Sequence, residues 1–269
     1  MDYRLPKLPT RPENSNKGTF GKVLNIAGSD YMPGAGFLSS ISALKIGAGY
    51  VELLSKEKVL STVSHLAPEI VLVPVSKLEE VIEGATVISI GCGLSPSKDA
   101  EELFNKVLNK KSDKPIVIDA DGLNILSKIE YDFYKKAILT PHPKEASRLL
   151  CCTLEEILSD VQNSAIKISK KYNCITVLKT HNTIITDSKI VYKNTIGNSA
   201  LSKAGSGDVL CGMITGLVAQ GMNLFDASTL GVYLHGLAGE LASKELTEYS
   251  VLATDIINYI PKAITRFRG

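Results

Sequence analysis

Short apolar runs alternate with amphipathic segments along the first two thirds of this chain of 269 residues. Each run ends in glycine or polar residues, as buried strands do, and helical periodicity fills the longer segments between the runs. This alternation predicts a doubly wound α/β fold, in which helices cover both faces of a mostly parallel sheet. The predicted strands are 22–27, 50–54, 71–75, 86–90, 115–119 and 137–140, and the predicted helices are 37–46, 77–83, 99–109 and 154–171.

The pattern changes after residue 173. Three apolar runs, 174–179, 183–186 and 189–192, follow one another with very short links, which predicts an antiparallel meander at one edge of the sheet. The rest of the chain has helical periodicity over about 207–220, 225–244 and 252–265. Because no linker or repeat interrupts the pattern, we predict a single domain over 1–269, with residues 1–20 as an extension that is partly mobile.

Charge and composition exclude several classes of protein. A net charge of +2 gives no electrostatic footprint for nucleic acid, and no apolar run is long enough to cross a membrane. The five cysteines include no C-x-x-C pair, which indicates a reducing, cytoplasmic setting. None of the four histidines has metal-ligand spacing, so the metal ligands are unknown, and we interpret His181 and His235 as structural or surface residues.

The most specific chemical signal is a glycine-rich turn at 204–208 that leads into an apolar helix. Backbone N–H groups at a helix start lack intrahelical partners, and glycines let them approach a phosphate closely. We predict that Gly205, Ser206 and Gly207 form an anion hole. Asp208 would then be the base that takes a proton from a hydroxyl attacking a phosphoryl group. The alternative is that Asp208 only caps the helix.

Further polar residues follow other predicted strands, at the edge where ligands of open α/β sheets gather. Asp119 and Asp121 either cap the next helix or approach Mg²⁺. His142 lies between two prolines that stiffen its loop, so it is either a rigid binding group or a structural residue. Lys179 is either a phosphate contact or a surface lysine, and Glu145 is either a site residue or a carboxylate that favours a helix start.

Taken together, the motifs are those of one family. They are Gly28-Ser29-x-x-Met32-Pro33-Gly34-Ala35, Gly91-x-Gly93-Leu94, Asp119-Ala120-Asp121-x-Leu123-Asn124, Leu139-Thr140-Pro141-His142-Pro143-x-Glu145, Val177-Leu178-Lys179-x-x-x-Thr183 and Asn198-x-x-Leu201-x-x-Ala204-Gly205-x-Gly207-Asp208-Val209-Leu210. From about Gly21 onward the chain resembles the ADP-dependent NAD(P)H-hydrate dehydratases of the ribokinase-like superfamily. Met-Pro-Gly-Ala and Thr-Pro-His-Pro-x-Glu are specific to that family, whereas Gly-x-Gly-Asp is shared with ribokinase-like small-molecule kinases. The resemblance implies a ribokinase-like three-layer α/β/α sandwich.

The resemblance also implies an enzyme of metabolite repair, a carbon–oxygen lyase. Such enzymes phosphorylate the hydroxyl of hydrated NADH or NADPH from ADP, and loss of phosphate then restores the reduced nicotinamide ring. The implied cofactors are Mg²⁺ and ADP as phosphoryl donor. We further expect a homo-oligomer, specifically a tetramer. We also expect a stand-alone dehydratase that works with a separate epimerase, because only about twenty residues precede the match.

Site residues are assigned by the same resemblance. The hydrate-contacting positions are Ala35, Gly93, His142 and Asp208. The nucleotide-binding positions are Lys179, Thr180, His181, Asn182, Thr183 and Gly207, with Lys179 near the phosphates. Asn124 and Glu145 are expected as further contacts or as contacts to water on Mg²⁺.

The chain departs from the family pattern at three positions. Cys92 stands where the family usually has proline, and Ser206 stands where it more often has threonine. Thr180 stands where the family often has glycine. A Cβ at this last position can crowd a ligand and disfavours positive φ, so Thr180 bears on the choice of nucleotide.

Two other functions remain open at this point. One is a kinase for a small vitamin precursor, of the hydroxyethylthiazole type, which would release a stable phosphate ester. The motifs around Pro33 and His142 argue against it. The other is a non-catalytic nucleotide-binding regulator, against which the intact Asp208 argues.

Overall fold

The structure is a computed structural model that describes residues 4–111 and 113–269. Within them a single sheet is formed by nine strands. They are β1 (Lys22–Ile26), β2 (Tyr50–Ser55), β3 (Val71–Pro74), β4 (Val87–Ile90), β5 (Ile116–Ile118), β6 (Ala137–Leu139), β7 (Ile175–Leu178), β8 (Ile184–Thr186) and β9 (Val191–Lys193). Their order in the sheet is β3-β2-β1-β4-β5-β6-β7-β8-β9.

The strand directions match the predicted ones. Strands β1 to β7 are all parallel to one another, with Val23 of β1 paired to Val51 of β2 and to Val87 of β4. Strand β8 is antiparallel to both β7 and β9, which confirms the antiparallel edge. The carboxyl ends of the seven parallel strands therefore lie along one edge of the sheet.

Helices cover both faces of this sheet. They are α1 (Pro33–Lys45), α2 (Glu57–Ser64), α3 (Leu78–Ile82), α4 (Lys98–Lys110), α5 (Asp121–Leu126), α6 (Pro143–Leu150), α7 (Leu154–Ser159), α8 (Val161–Tyr172), α9 (Ser206–Ala219), α10 (Leu224–Ser250) and α11 (Ala253–Arg268). Short 3₁₀ turns lie at Lys17–Phe20, Val75–Lys77 and Ser199–Leu201.

Two hydrophobic cores separate these helices into two layers. Val23 and its equivalents on other strands pack with α1, α2, α9, α10 and α11. Leu24, on the opposite face of the same strand, belongs to the core formed with α3 to α8. Because both faces of each central strand are buried, the strands read as continuous apolar runs rather than alternating ones. The three-layer α/β/α sandwich is confirmed.

Several helix boundaries differ from the predicted ones. Helix α1 begins at Pro33 instead of residue 37, because proline suits the first helical position, where its missing N–H costs nothing. The helix predicted over 154–171 is two helices that meet at Asp160. The backbone of this residue is not helical, and its side chain accepts a hydrogen bond from the Asn163 N–H as the cap of α8. The helix predicted over 225–244 continues to Ser250, with a kink at Thr247.

Helices α1 and α9 pack unusually closely. A Cβ on Gly212 would lie 2.1 Å from the Ser39 carbonyl oxygen, and one on Gly216 would lie 2.6 Å from that of Ala43. Only glycine allows two backbones to approach this far. The step from Gly212 to Gly216 on α9 equals the step from Ser39 to Ala43 on α1. The two helices therefore run side by side in the same direction. That register brings the start of α9 level with the start of α1.

The segment before β1 lies against this body. Arg11 donates to the Gly47 carbonyl oxygen at 3.0 Å, and its guanidinium stacks 3.6 Å from the centre of the Phe20 ring. Residues 1–3 of the extension that we predicted to be mobile lie outside the described residues. Among the described residues, the helices are too short or too polar for any of them to cross a membrane.

Candidate active site

Loops from four parallel strands and the start of α9 meet at the carboxyl edge of the sheet. Cys92 follows β4, Asp119 follows β5, His142 follows β6 and Lys179 follows β7. Strand order alone explains this meeting, because β4, β5, β6 and β7 are consecutive neighbours in the sheet. The polar residues that the sequence places far apart are thereby brought to one place.

Lys179 and Asp119 form a buried ion pair at this edge. The Lys179 Nζ lies 2.6 Å from Asp119 Oδ1, and the two side chains are 19% and 2% exposed. Burial by itself would lower the pKa of Lys179, but the charges of Asp119 and Glu145 outweigh it and raise that pKa. Lys179 is therefore a fixed cation, and its interpretation as a surface lysine is wrong.

The start of α9 lies directly against this pair. Gly205 adopts a φ of +88°, which turns the chain into the helix, and the helix start has no side-chain cap. The N–H of Ser206 donates to the Lys203 carbonyl oxygen, whereas within the described residues those of Gly207 and Asp208 have no acceptor. A Cβ on Gly207 would lie 3.5 Å from Lys179 Nζ. Free backbone donors, a helix dipole and a lysine thus converge, which is the arrangement that binds phosphate.

Asp208 is held in the first turn of α9 in a half-buried position. Burial raises its pKa to about 6, and the negative charge of Asp119 adds to the rise. A hydrogen bond from the Cys92 thiol and the charge of Lys179 oppose it. A carboxylate with this pKa is mostly ionised at neutral pH and still basic enough to accept a proton, as a general base must be.

The start of α6, by contrast, is closed by its own side chains. His142 is the N-cap, and its Nδ1 accepts hydrogen bonds from the N–H groups of Lys144 and Glu145 at 3.1 and 3.4 Å. Glu145 Oε2 in return accepts from the His142 N–H at 2.8 Å. This is a capping box with histidine in the place of serine or threonine. Because Nδ1 is an acceptor, neutral His142 carries its proton on Nε2, which lies 3.3 Å from Glu145 Oε1.

Both members of this capping box have shifted pKa values. Burial lowers the pKa of His142, and the neighbouring Lys179 lowers it further, so the imidazole is neutral at physiological pH. Burial raises the pKa of Glu145 to about 7, while Lys179 opposes the rise and Asp119 supports it. The contact between the two side chains is therefore a hydrogen bond rather than an ion pair.

Asp121 and Asn124 connect neighbouring loops of the site through hydrogen bonds. Asp121 accepts from the Ser95 N–H at 2.8 Å and from the Asn124 side chain at 3.3 Å. The Asn124 side chain also accepts from Arg148 at 2.7 Å. Asp121 and Asn124 thus tie the loop after β4 to the helices α5 and α6.

Two predicted hydrate-contacting positions touch each other. A Cβ on Gly93 would lie 2.6 Å from that of Ala35, so the loop after β4 contacts the first turn of α1. The α1–α9 register places Asp208 level with Ala35. The structure thus brings together Ala35, Gly93 and Asp208, whereas His142 lies in the loop after β6, the strand next to β5.

Most of the predicted nucleotide segment lines one cavity of about 910 Å³. Among its walls are His142, Lys179, Thr180, His181, Thr183 and Gly207; Asn182 does not line it. The Thr180 hydroxyl donates to the Asn182 carbonyl oxygen at 2.8 Å, and Thr180 is not among the residues with positive φ. Threonine therefore fits here without backbone strain.

A second cavity, of about 550 Å³, lies between α2 and α4, beyond the ends of β2 and β3. Its charged walls include Lys56 and Asp99, which pair at 3.3 Å. None of the predicted site residues lines it. We assign the site to the larger cavity because that cavity holds the lysine and the open helix start.

Three site residues were not recognised from the sequence. The sequence indicates Asp119 only as a cap or a metal contact, yet in the structure it is the partner of Lys179. Cys92 is a departure from the family pattern, yet its thiol is close enough to Asp208 to lower the pKa of that carboxyl group. His235 is buried with its Nε2 3.2 Å from the Ser206 hydroxyl, and burial lowers its pKa to about 4. The structural interpretation of His235 is correct, but this histidine supports the anion-binding turn and lines the cavity.

The three-layer α/β/α sandwich and the uncapped start of α9 after Gly205 define a ribokinase-like protein. The model of one family within that class, NAD(P)H-hydrate dehydratase, matches residues 23–262. The chain belongs to this family.

Three relatives illustrate the similarity. The "Bifunctional NAD(P)H-hydrate repair enzyme Nnr" of Coxiella burnetii is 38% identical over 260 residues, which are 95% of this chain and 53% of that protein. The "ADP-dependent (S)-NAD(P)H-hydrate dehydratase" of Neisseria meningitidis is 37% identical over 246 residues, covering 88% of this chain and 83% of the relative. The ADP/ATP-dependent NAD(P)H-hydrate dehydratase of Bacillus subtilis, co-crystallised with ATP and Mg²⁺, has a TM-score of 0.86 at 30% identity. That comparison covers 97% of this chain and 94% of the other.

The chain spans about half the length of the bifunctional relatives that it matches. Family membership agrees with the dehydratase interpretation rather than with the vitamin-precursor kinase.

Proposed function

We propose that this protein dehydrates the hydrates of NADH and NADPH at the expense of ADP, releasing AMP and phosphate and restoring the reduced cofactor. The observation that carries this proposal is the half-buried Asp208 at an open helix start, beside the Lys179–Asp119 pair. One site thus holds a base for a hydroxyl and a binding place for a phosphoryl group. Family membership identifies the hydroxyl as that of the hydrated nicotinamide ring.

The first step is phosphorylation of the hydrate. Asp208 accepts the hydroxyl proton as the hydroxyl oxygen attacks the terminal phosphorus of ADP. The bond from that phosphorus to the bridging oxygen breaks, and AMP leaves. The N–H groups of Gly207 and Asp208 and the charge of Lys179 stabilise the negative charge on the transferring phosphoryl oxygens. Gly205 and Ser206 shape this anion hole, since the Ser206 N–H is used within the turn.

The second step is elimination. Hydroxide is a poor leaving group and phosphate is a good one, so the phosphorylated hydrate loses phosphate together with a ring proton and regains its double bond. Water must be excluded during the preceding phosphoryl transfer, because it would otherwise compete with the hydrate hydroxyl and hydrolyse ADP. In this proposal Ala35 and Gly93, which pack against each other, hold the ring close to Asp208.

The oxygen-rich edge fits Mg²⁺ bound mainly through the nucleotide. Asp119 is paired with Lys179, and Asp121 and Asn124 already have hydrogen-bond partners. Mg²⁺ keeps several waters and takes phosphate oxygens when few carboxylates are free. Glu145 and Asn124 would then contact its waters. When bound, Mg²⁺ would neutralise charge on the phosphates of ADP.

Four further expectations stay predictions: the tetramer, the separate epimerase, the cytoplasmic location and the assignment of individual contacts to hydrate or nucleotide. The names of the bifunctional relatives support a partner activity, and the cysteines of the described residues are free thiols.

The test is the recovery of reduced nicotinamide absorbance from purified hydrate. We expect absorbance to return when protein, hydrate, Mg²⁺ and ADP are all present, with AMP and phosphate formed in equal amounts. A stable phosphorylated hydrate without recovery of absorbance would indicate the kinase instead. Recovery without nucleotide would contradict the proposal.

A further inference from the structure

Two thiols and a carboxylate meet beneath the base of the site. Cys92 comes from the loop after β4, Asp119 from the end of β5 and Cys211 from the second turn of α9. All three side chains are buried, and one ligand atom from each lies within 4.8 Å of the others. The dehydration mechanism uses neither thiol as a reactant.

This geometry is close to that of a three-ligand metal site. A tetrahedral zinc ion lies about 2.3 Å from sulfur and about 2.1 Å from a carboxylate oxygen, which puts neighbouring ligand atoms about 3.5–3.8 Å apart. The three groups therefore need to close by only about 1 Å. They stand on a helix and on the ends of two paired strands, so the backbone already holds them together.

The donor set selects soft cations. Two sulfur ligands favour Zn²⁺ or Cd²⁺ and disfavour Mg²⁺, which takes oxygen. Thiols bind such cations as thiolates, so one divalent cation replaces two protons and the charge of the buried site does not change. This exchange matters because an uncompensated charge at this depth would be costly.

We propose that Cys92, Asp119 and Cys211 form a binding site for a soft divalent cation, distinct from the Mg²⁺ that accompanies the nucleotide. The exchange is M²⁺ plus two thiols giving the bis-thiolate complex and two protons. Asp208 is close to this cluster, since both Asp119 and the Cys92 thiol influence the pKa of its carboxyl group.

Occupancy of this site would change the catalytic groups. A cation bound to Asp119 competes with Lys179, which lies 2.6 Å from the same carboxylate. It would also draw Asp208 away from its role as a base. The cation would therefore inhibit turnover, a consequence that rests on the proposed function, whereas binding does not.

Cadmium is the probe, since sulfur–cadmium bonds give a charge-transfer band in the ultraviolet. The parent protein carries Cys151→Ser and Cys152→Ser, because this adjacent pair is outside the site and at least partly exposed. We expect the parent to bind one cadmium ion, to show the band and to release two protons per cadmium in weak buffer. Cys92→Ser and Cys211→Ser should each abolish the band. Cys174→Ser, a change at a buried thiol outside the site, should retain it.

A band that survives Cys92→Ser and Cys211→Ser, or one that Mg²⁺ removes, would overturn the proposal. If a serine variant does not fold by circular dichroism, the proton count of the folded parent decides, because a site with one thiol releases one proton. Inhibition is measured separately on the parent and on Cys174→Ser. Cadmium binding without any hydrate turnover would refute the proposed function and leave the site standing, and turnover without the band would do the reverse.

Discussion

The helices α6 and α9 begin at the same edge of the sheet, and both bring a carboxylate with a raised pKa toward Lys179. They differ in what happens to the free N–H groups. At α6, His142 and Glu145 accept those hydrogen bonds themselves. Helix α9 follows Gly205 and has no side-chain cap, so the N–H groups of Gly207 and Asp208 remain available as donors.

This difference separates a stabilising helix start from a reactive one. A side-chain cap contributes about 0.5–2 kcal/mol to stability, which α9 forgoes. Burying Asp208 adds a further cost, since its pKa is raised rather than lowered. The start of α9 lacks the stability of a cap and carries a buried carboxylate, so we expect it to take part in catalysis. The capped start of α6 is expected to be a rigid part of the site. Variants at the two helix starts test whether that division is correct.

The largest expected effect is at Asp208. Asp208→Asn should reduce turnover by about 10²–10⁴, the usual contribution of a positioned general base, and change nucleotide affinity by only a few-fold. Steady-state kinetics and calorimetry with ADP measure the two effects. Turnover near that of the wild type would exclude the base, and loss of ADP binding by a folded variant would indicate a structural or metal role.

Stability provides the control for this variant. The folded-state pKa of about 6 lies above the ordinary value, so the carboxyl contributes stability when protonated and loses it as pH rises through about 6. Above that pH Asp208→Asn should therefore be more stable than the wild type, by about 1–3 kcal/mol. Asp226→Asn, in the first turn of α10, should change neither turnover nor stability in this way.

The next largest effect is expected at the Lys179–Asp119 ion pair beside the start of α9. Lys179→Met leaves Asp119 buried without its cation, and removing one partner of a buried pair costs about 3–5 kcal/mol. Turnover should fall as well, because no lysine charge then stabilises the negative charge on the transferring phosphoryl group. Urea denaturation and steady-state rates measure the two losses.

Two variants separate these effects. Lys179→Met combined with Asp119→Asn should recover most of the stability and none of the turnover. Lys22→Met removes the lysine of the Lys22–Glu52 pair, at the opposite edge of the sheet, and should lower stability while turnover persists. If the double variant regains activity, Lys179 serves only to neutralise Asp119.

The sequence predicted most of the sheet because its strands are buried on both faces and so stand out as apolar runs. It missed the true start of α1 because Gly34 and Gly36 have poor helix propensity. Gly36 packs against Leu53, close enough that an added Cβ would lie 3.3 Å from that side chain, so tertiary contact overrides propensity there. The break at Asp160 was missed because periodicity continues through it.

The site was predicted in its elements but not in its pairings. Asp208 and the glycines around it were identifiable from a local motif, because a helix start is a local structure. Lys179 and Asp119 are 60 residues apart, and only the order of β5, β6 and β7 makes them partners. The capping role of the His142 ring was missed because histidine is not a usual cap.

A smaller effect is expected at His142, where the closed helix start faces the ligand. We predict that His142→Ala weakens hydrate binding by roughly 1–3 kcal/mol and hardly changes ADP binding. The same change removes a cap and should cost about 1 kcal/mol of stability. Hydrate KM and ADP calorimetry distinguish the two parts of the site.

His142→Asn is the matched variant, because asparagine can cap the helix but lacks the Nε2 donor. It should keep the stability and still lose hydrate binding. If it binds hydrate normally, His142 is only a cap. If ADP affinity falls instead, His142 belongs to the nucleotide half, whose residues share its cavity.

The pH dependence compares Asp208 with Glu145, the two carboxyl groups of the site whose pKa values are raised. Asp208 must be ionised to accept a proton, so kcat/KM should fall about tenfold per pH unit below about pH 6. The largest influences on the pKa of Asp208 are burial and the charge of Asp119, so Glu145→Gln should keep the same fall in kcat/KM below about pH 6. Glu156→Gln removes the same capping carboxylate from α7 and controls for lost stability. If kcat/KM of Glu145→Gln no longer falls below about pH 6, the base is Glu145 on α6 rather than Asp208.

The smallest effect concerns the nucleotide. We expect ADP to give a higher kcat/KM than ATP at equal Mg²⁺, because ADP is the phosphoryl donor in the proposed function. Thr180 lies in the wall of the cavity, where its Cβ and its hydroxyl, held by the Asn182 carbonyl oxygen, occupy space that glycine would leave open. Thr180→Gly should therefore narrow the preference by admitting the longer phosphate chain. Rates with both donors on both proteins decide this. A wild-type preference for ATP would show that the segment from Lys179 to Thr183 does not select the nucleotide as we propose, while an unchanged ratio in Thr180→Gly would place the selectivity at the α9 helix start instead.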